Sequence, residues 1–197
     1  ALRLFAATHD AKYLEHAEAW AEVLQQHYWD NDAGGYFTSA HDTSDVVVQL
    51  KSAADDAAPN ANAIQFSNLL ALAVLTGNDR YEQTADSLLK AFAAETTRNP
   101  IGHCGLIAAA LDADALVQIV TVGTGEGGFA DAINQVSIPG ALEFQLRATD
   151  GAALPAALSE KIGLRGGSMA YVCRGKSCLQ PVGNNRMLNQ LIIEARR

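Results

Sequence analysis

Positive charge is in short supply. The 197 residues carry 14 Lys and Arg against 22 Asp and Glu, a formal charge of −8. A net-negative surface is a poor match for a phosphate backbone, so nucleic acid is excluded as the expected partner. Long apolar runs are missing too. The longest uncharged stretch, residues 57–78, is broken by Asn60, Asn62, Gln65, Ser67 and Asn68. Those groups are too costly to strand in lipid, and no membrane segment is expected. No secretory leader pattern opens the chain, and there are only three cysteines. Together these fit a reducing, cytoplasmic setting. Charged residues are only 18% of the chain and hydrophobic ones 49%, which excludes disorder and leaves a globular protein with a real core.

Alanine, by contrast, occurs 36 times, a composition that favours helices packed at close range. Charge is unevenly spread: residues 161–197 hold seven Lys and Arg and one acid, Glu194, whereas residues 1–160 hold seven and 21. The segment Leu2-Arg3-Leu4-Phe5-Ala6-Ala7 already has a helical pattern. A chain that opens inside a helix is expected to be the C-terminal portion of a longer protein.

The clearest internal signal is a repeat at an offset of 68 residues. Leu4, Thr8, Asp10, Lys12 and Tyr13 align with Leu72, Thr76, Asn78, Arg80 and Tyr81, and the match continues through Ala17/Ala85 and Leu24/Phe92. Each copy reads as a helix end, a short polar turn and a second amphipathic helix. Such hairpins suggest an α/α toroid or solenoid, incomplete with two copies. Helices are expected near 11–28, 61–76, 79–97 and 101–112. A small β-hairpin is expected between them, from the Gly34-Gly35 turn and the extended run Val46-Val47-Val48.

After residue 114 the pattern changes. Runs at 116–122, 142–147 and 169–173 read as strands, 129–136 and 154–162 as helices, and 184–197 as a terminal helix. That β-α-β-α-β order predicts a small parallel sheet. The expectation is therefore a mainly α chain with two parts: residues 1–114 as an α/α-hairpin segment with an inserted β-hairpin, and 115–197 as a small α/β module.

Three groups of residues resemble a known family. The run Lys51-Ser52-Ala53-Ala54-Asp55-Asp56-Ala57-Ala58-Pro59-Asn60-Ala61-Asn62 is similar to its Lys-x-x-x-Asp-Gly-Ala-x-Pro-Ser-Gly-Asn signature. Tyr171-Val172-Cys173 through Cys178 is similar to its Tyr-Val-Cys-x-x-x-x-Cys element, and Trp29-Asp30 through Gly34-Gly35-Tyr36-Phe37 also fits. The family is the YyaL type, related to spermatogenesis-associated protein 20. The resemblance implies an N-terminal thioredoxin-like domain joined to an (α/α)6 toroid similar to six-hairpin glycosidases and sugar epimerases. Those upstream parts, the thioredoxin-like domain and the remainder of the toroid, are the implied partners. This chain departs from the signature at both glycines, which are Asp56 and Ala61, and Gln49-Leu50 stands where Arg-Pro is usual.

Asp30, Asp32 and Asp55 fall in loops at hairpin ends, where a toroid cleft would use carboxylates as general acid and base. Trp29, Tyr36 and Phe37 offer stacking faces for a sugar-like molecule, and Lys51 and Asn62 fit the same pocket. The plainer alternative is that these residues make turns and cap helices. Residues 123–128 form a G-x-G-x-x-G run, with Glu143 beyond it, that has the form of a dinucleotide fingerprint. The predicted sheet is too small for that use, so a strand-to-helix loop is favoured and no cofactor is expected. Cys173 and Cys178 flank a four-residue turn. Reduced structural thiols are favoured, with a redox-active disulfide second and a metal site with His103 and Cys104 last; no metal is expected. Two functions follow: carbohydrate processing in a toroid cleft, or a non-catalytic interaction or thiol-redox adaptor role.

Overall fold

The structure is a computed structural model that describes residues 1–114, 116–123, 129, 133, 140–147, 150, 154–162, 168–175 and 177–195. Its first helices end and begin where short polar residues satisfy open backbone groups. Helix α1 (Leu2–Thr8) closes on His9, which is left-handed at φ 59°. Helix α2 (Ala11–His27) opens behind Asp10, whose carboxylate accepts the Lys12 N–H at 3.1 Å. The same device recurs 68 residues later. Helix α3 (Ala61–Thr76) runs into Gly77 at φ 70°, and Asn78 accepts the Arg80 N–H at 3.1 Å ahead of α4 (Asp79–Arg98). The repeat is thus a repeated turn, with histidine in one copy holding a backbone that glycine holds in the other.

Two compact units divide the chain. The helical unit comprises Glu15–Ala73 and Asn78–Leu111. Its α4 buries Tyr81, Ala85, Leu88 and Phe92, spaced at four, three and four residues as one helical face requires. Ala17, Ala21, Ala63, Ala71 and Ala85 are all buried, so the alanine abundance serves close helix contacts. A 3-10 turn (Ile101–His103) leads into α5 (Cys104–Asp114). The inserted β-hairpin is absent: between α2 and α3 there is a single antiparallel bridge, Trp29 with Tyr36. Val46, Val47 and Val48 are 37%, 98% and 68% exposed and form no strand. A β-branched run becomes a strand only where a neighbour takes its backbone groups.

The other unit comprises Ala1–Leu14, Val74–Gly77 and Asp112–Arg197. It holds β1 (Val117–Gly123), β2 (Leu142–Arg147), β3 (Met169–Arg174) and β4 (Ser177–Cys178) in the order β2-β1-β3-β4. Strand β1 is buried nearly throughout because both faces are covered. On one face Val117 and Ile119 join Val172, Leu188 and Ile192, the last two from α7 (Asn185–Ala195). On the other, Phe144 meets Phe5 edge-on with centroids 5.9 Å apart.

The sheet is mixed, not parallel. Strand β2 runs parallel to β1, but β3 pairs antiparallel to it, Val120 opposite Tyr171. The link between β2 and β3 contains α6 (Ala156–Ile162), and Val122 pairs with Leu146 near the end of β2 and with Met169 at the start of β3. A parallel crossover must carry the chain back along the whole sheet; an antiparallel β3 starts at the end where β2 stops. The expected 129–136 helix and the glycine run at 124–128 lie largely outside the described residues. No helix among the described residues is long and apolar enough to cross a membrane.

Candidate functional site

Asp30, Lys51, Asp55, Asn60 and Asn62 all lie in the helical unit, and the side chain of each hydrogen-bonds to backbone. Trp29 through Gly35 form a tight turn in which the Asp30 Oδ1 atom accepts the N–H groups of Asp32 and Ala33 at 2.9 and 3.0 Å. Gly34 and Gly35 complete it at φ 75° and 79°. The Lys51 Nζ atom reaches across to donate to Asp30 Oδ2 and to the Gly34 carbonyl, both at 2.6 Å. The Lys51 ammonium first, and the two N–H groups after it, hold the Asp30 carboxyl down at about 2. Asp30 is therefore held as an anion by its partners, unsuited to proton transfer near neutrality.

This pair makes a pH prediction. A depressed folded-state pKa stabilises the protein above the unfolded value near 3.8, and the contribution is lost as pH falls through about 2. The stability gap between wild type and Lys51→Met should be widest above pH 4 and narrow as pH drops towards 2. Denaturant midpoints measured across that range check it, and a gap that stays flat contradicts it.

Asn62 is 3% exposed and works as a one-residue strand partner. Its Oδ1 accepts the Tyr36 N–H at 2.8 Å, while Nδ2 donates to the carbonyls of Tyr36 and Ser52, each at 3.0 Å. Asn60 caps α3 by accepting the Ala63 N–H at 3.1 Å, and its Nδ2 holds the Ser52 and Ala54 carbonyls. Asp55 accepts the Gly105 N–H at 2.7 Å, and its own N–H donates to the Gly102 carbonyl at 2.8 Å. A carboxylate at the first turn of α5 is favourable there. Gly105 permits it, because a Cβ would stand 2.5 Å from Asp55 Oδ1. The segment from Lys51 to Asn62 is laced down at both ends.

Beside it opens a cleft of about 550 Å³, lined by Tyr28, Tyr36, Phe37, Asn60, Asn62 and Gln65 among others. Of the candidate site residues, Tyr36, Phe37 and Asn62 line this cleft, whereas Trp29, Asp30, Asp32, Lys51 and Asp55 do not. Trp29 is 8% exposed and packs edge-on against Tyr36 at 4.9 Å, leaving no free stacking face. Asp32 is exposed. The lining carboxylate is Asp56, and it and Ala61 occupy the two positions where the signature has glycine. Burial pushes the Tyr36 hydroxyl up to about 12, and it donates to Gln25 Oε1 at 3.3 Å.

Sequence reasoning missed Tyr28, Asn60, Gln65 and Gly105. Gln65 alone left a signal, a polar residue set between Ile64 and Phe66 in an apolar helix and buried there. In the other unit Cys173 and Cys178 are joined in a disulfide, in place of the reduced thiols that spacing favoured; Cys104 is free and exposed. No group of three or more His, Cys, Asp or Glu able to hold a metal occurs among the described residues.

No family model matches the chain. Among curated proteins, human spermatogenesis-associated protein 20 is 26% identical over 200 residues, covering 97% of this chain and 25% of the relative. The rat protein of that name is 32% identical over 124 residues, 62% of this chain and 16% of the relative. The mouse protein is 33% identical over 101 residues, 51% and 13%. The chain is thus similar to spermatogenesis-associated protein 20 along almost its whole length, and spans a quarter or less of the curated proteins it matches.

Proposed function

We propose that the helical unit provides a binding cleft for a neutral, carbohydrate-like molecule, and that this part of the protein binds without turning over its ligand. The observation that carries the reading is the cleft wall. Rings of Tyr28, Tyr36 and Phe37 stand with the amides of Asn60, Asn62 and Gln65, and the candidate acids lie elsewhere. Aromatic faces suit the C–H surface of a sugar and amides suit its hydroxyls. Glycoside hydrolysis needs two carboxylates flanking one bond, and Asp56 is the one carboxylate in this wall among the described residues. The sequence resemblance supports setting this cleft in a toroid completed by residues outside the chain, with a thioredoxin-like domain as a further partner. Calorimetric titration with neutral mono- and oligosaccharides tests the reading. At least one should bind, and Gln65→Leu should weaken it about tenfold, the value of one lost buried hydrogen bond. Conversion of the bound sugar to product, or binding indifferent to Gln65, contradicts the reading.

A further inference from the structure

The geometry points to Cys173–Cys178 as a thiol–disulfide exchange site, with Cys178 taking the incoming thiolate and Gln118 receiving the sulfur that leaves. The two cysteines are direct partners in the antiparallel β3–β4 pair, and their environments differ sharply. Cys173 is 2% exposed, whereas both residues of the two-residue β4 are exposed. At Gly175, with φ 55°, nothing among the described residues stands within 4 Å of where a Cβ would be. A thiolate in solution therefore has a path to one sulfur of the bond and not to the other.

On the neighbouring strand, on the sheet face that carries Cys173, is a buried donor without a partner among the described residues. Gln118 of β1 lies directly opposite Cys173 of β3 in the sheet register, on the same face. Such a cross-strand pair brings the two Cβ atoms to about 5 Å. Gln118 is 4% exposed. The Lys161 Nζ atom donates to its Oε1 at 3.4 Å, which fixes the amide so that Nε2 is turned from the lysine. That Nε2 is buried and has no hydrogen-bond partner among the described residues. A disulfide sulfur is a feeble acceptor; a thiolate is a strong one. The oxidised site thus leaves a buried N–H group unsatisfied, and reduction supplies what it lacks.

The chemistry is a two-electron exchange with a dithiol. One thiolate of the dithiol attacks Cys178 Sγ, the Cys173–Cys178 bond breaks, and Cys173 departs as a thiolate beside Gln118 Nε2. The second thiol of the dithiol loses its proton and attacks the mixed disulfide, releasing Cys178. The dithiol ends as a disulfide and its two electrons end on the two cysteines: Cys178 takes up the proton released by the second thiol, and Cys173 stays a thiolate beside Gln118.

The test uses the full chain carrying Cys104→Ser, equilibrated in buffers of reduced and oxidised dithiothreitol, with thiols counted by alkylation and mass. Gln118→Leu should need about a tenfold higher ratio of reduced to oxidised dithiothreitol for half-reduction, matching the loss of one buried hydrogen bond to a charged acceptor. In a second arm, Cys173→Ser should form a mixed disulfide with oxidised glutathione and Cys178→Ser should not. If Gln118→Leu does not fold, the second arm decides alone. Equal trapping by both serine variants, an unchanged midpoint in a folded Gln118→Leu protein, or a bond that opens only when the chain unfolds would overturn the assignment.

Discussion

Replacing Asn62 with leucine should cost the helical unit about 3–5 kcal/mol. The change is nearly isosteric, so the penalty comes from polar groups and not from volume. Asn62 satisfies both backbone groups of Tyr36, a residue that is itself 6% exposed. Leucine leaves that N–H and carbonyl buried and unpaired, each worth about 1–3 kcal/mol. The Ser52 carbonyl, on an exposed residue, regains water at little cost. Asn62→Asp should also destabilise, because it keeps the acceptor for the Tyr36 N–H but sets a carboxylate against two carbonyl oxygens. Chemical denaturation followed by Trp29 fluorescence reads the effect at the right place, since that ring packs on Tyr36. A loss below about 1 kcal/mol for Asn62→Leu, no more than a typical surface change, would contradict the role assigned to Asn62.

Gly35→Ala should cost about 3 kcal/mol and Gly77→Ala only about 1 kcal/mol. Both glycines have positive φ, at 79° and 70°, so each substitution carries the left-handed penalty of about 1 kcal/mol. They differ in what surrounds them. A Cβ on Gly35 would lie 2.8 Å from Phe92 Cε2 and 3.0 Å from Cζ, whereas one on Gly77 meets nothing within 4 Å among the described residues. Phe92 is 2% exposed and cannot swing aside without disturbing the core, an overpacking cost of about 1–3 kcal/mol. Denaturant midpoints of the two variants, measured side by side, check the difference. Equal costs would mean that backbone strain alone governs Gly35.

Local pattern carried much of the helical architecture. The repeat at 68 residues locates both polar turns to the residue, because caps and periodicity are written in neighbouring positions. The direction of β3 was not legible, since 169–173 has the same apolar pattern whether it pairs parallel or antiparallel. Val46 to Val48 has the composition of a strand and no partner to make it one.

Pairings at long range were hidden for the same reason. Lys51 with Asp30 spans 21 residues and Asp55 with Gly105 spans 50, and neither partner announces the other. Residue type identified Trp29, Asp30 and Asp55 as chemically capable but said nothing of which way they face. Gly105 is one of many glycines until Asp55 is seen to need the space. The cysteine spacing admitted a disulfide but left reduced thiols favoured, and the strand register that pairs Cys173 with Cys178 decides for the bond.

On the proposed reading the signature residues around Lys51 and Asp30 build the loop, while ligand recognition belongs to the adjoining cleft. The most direct measurement is the affinity of the tightest-binding neutral saccharide for the double variant Asp30→Asn/Lys51→Met, at a pH and temperature where that protein is folded. The cleft account predicts an affinity within about twofold of wild type, since neither residue lines the cleft. A loss of tenfold or more in the folded variant, about 1.4 kcal/mol of binding free energy, would put the ion pair in the binding site and contradict it. So would the absence of saccharide binding altogether.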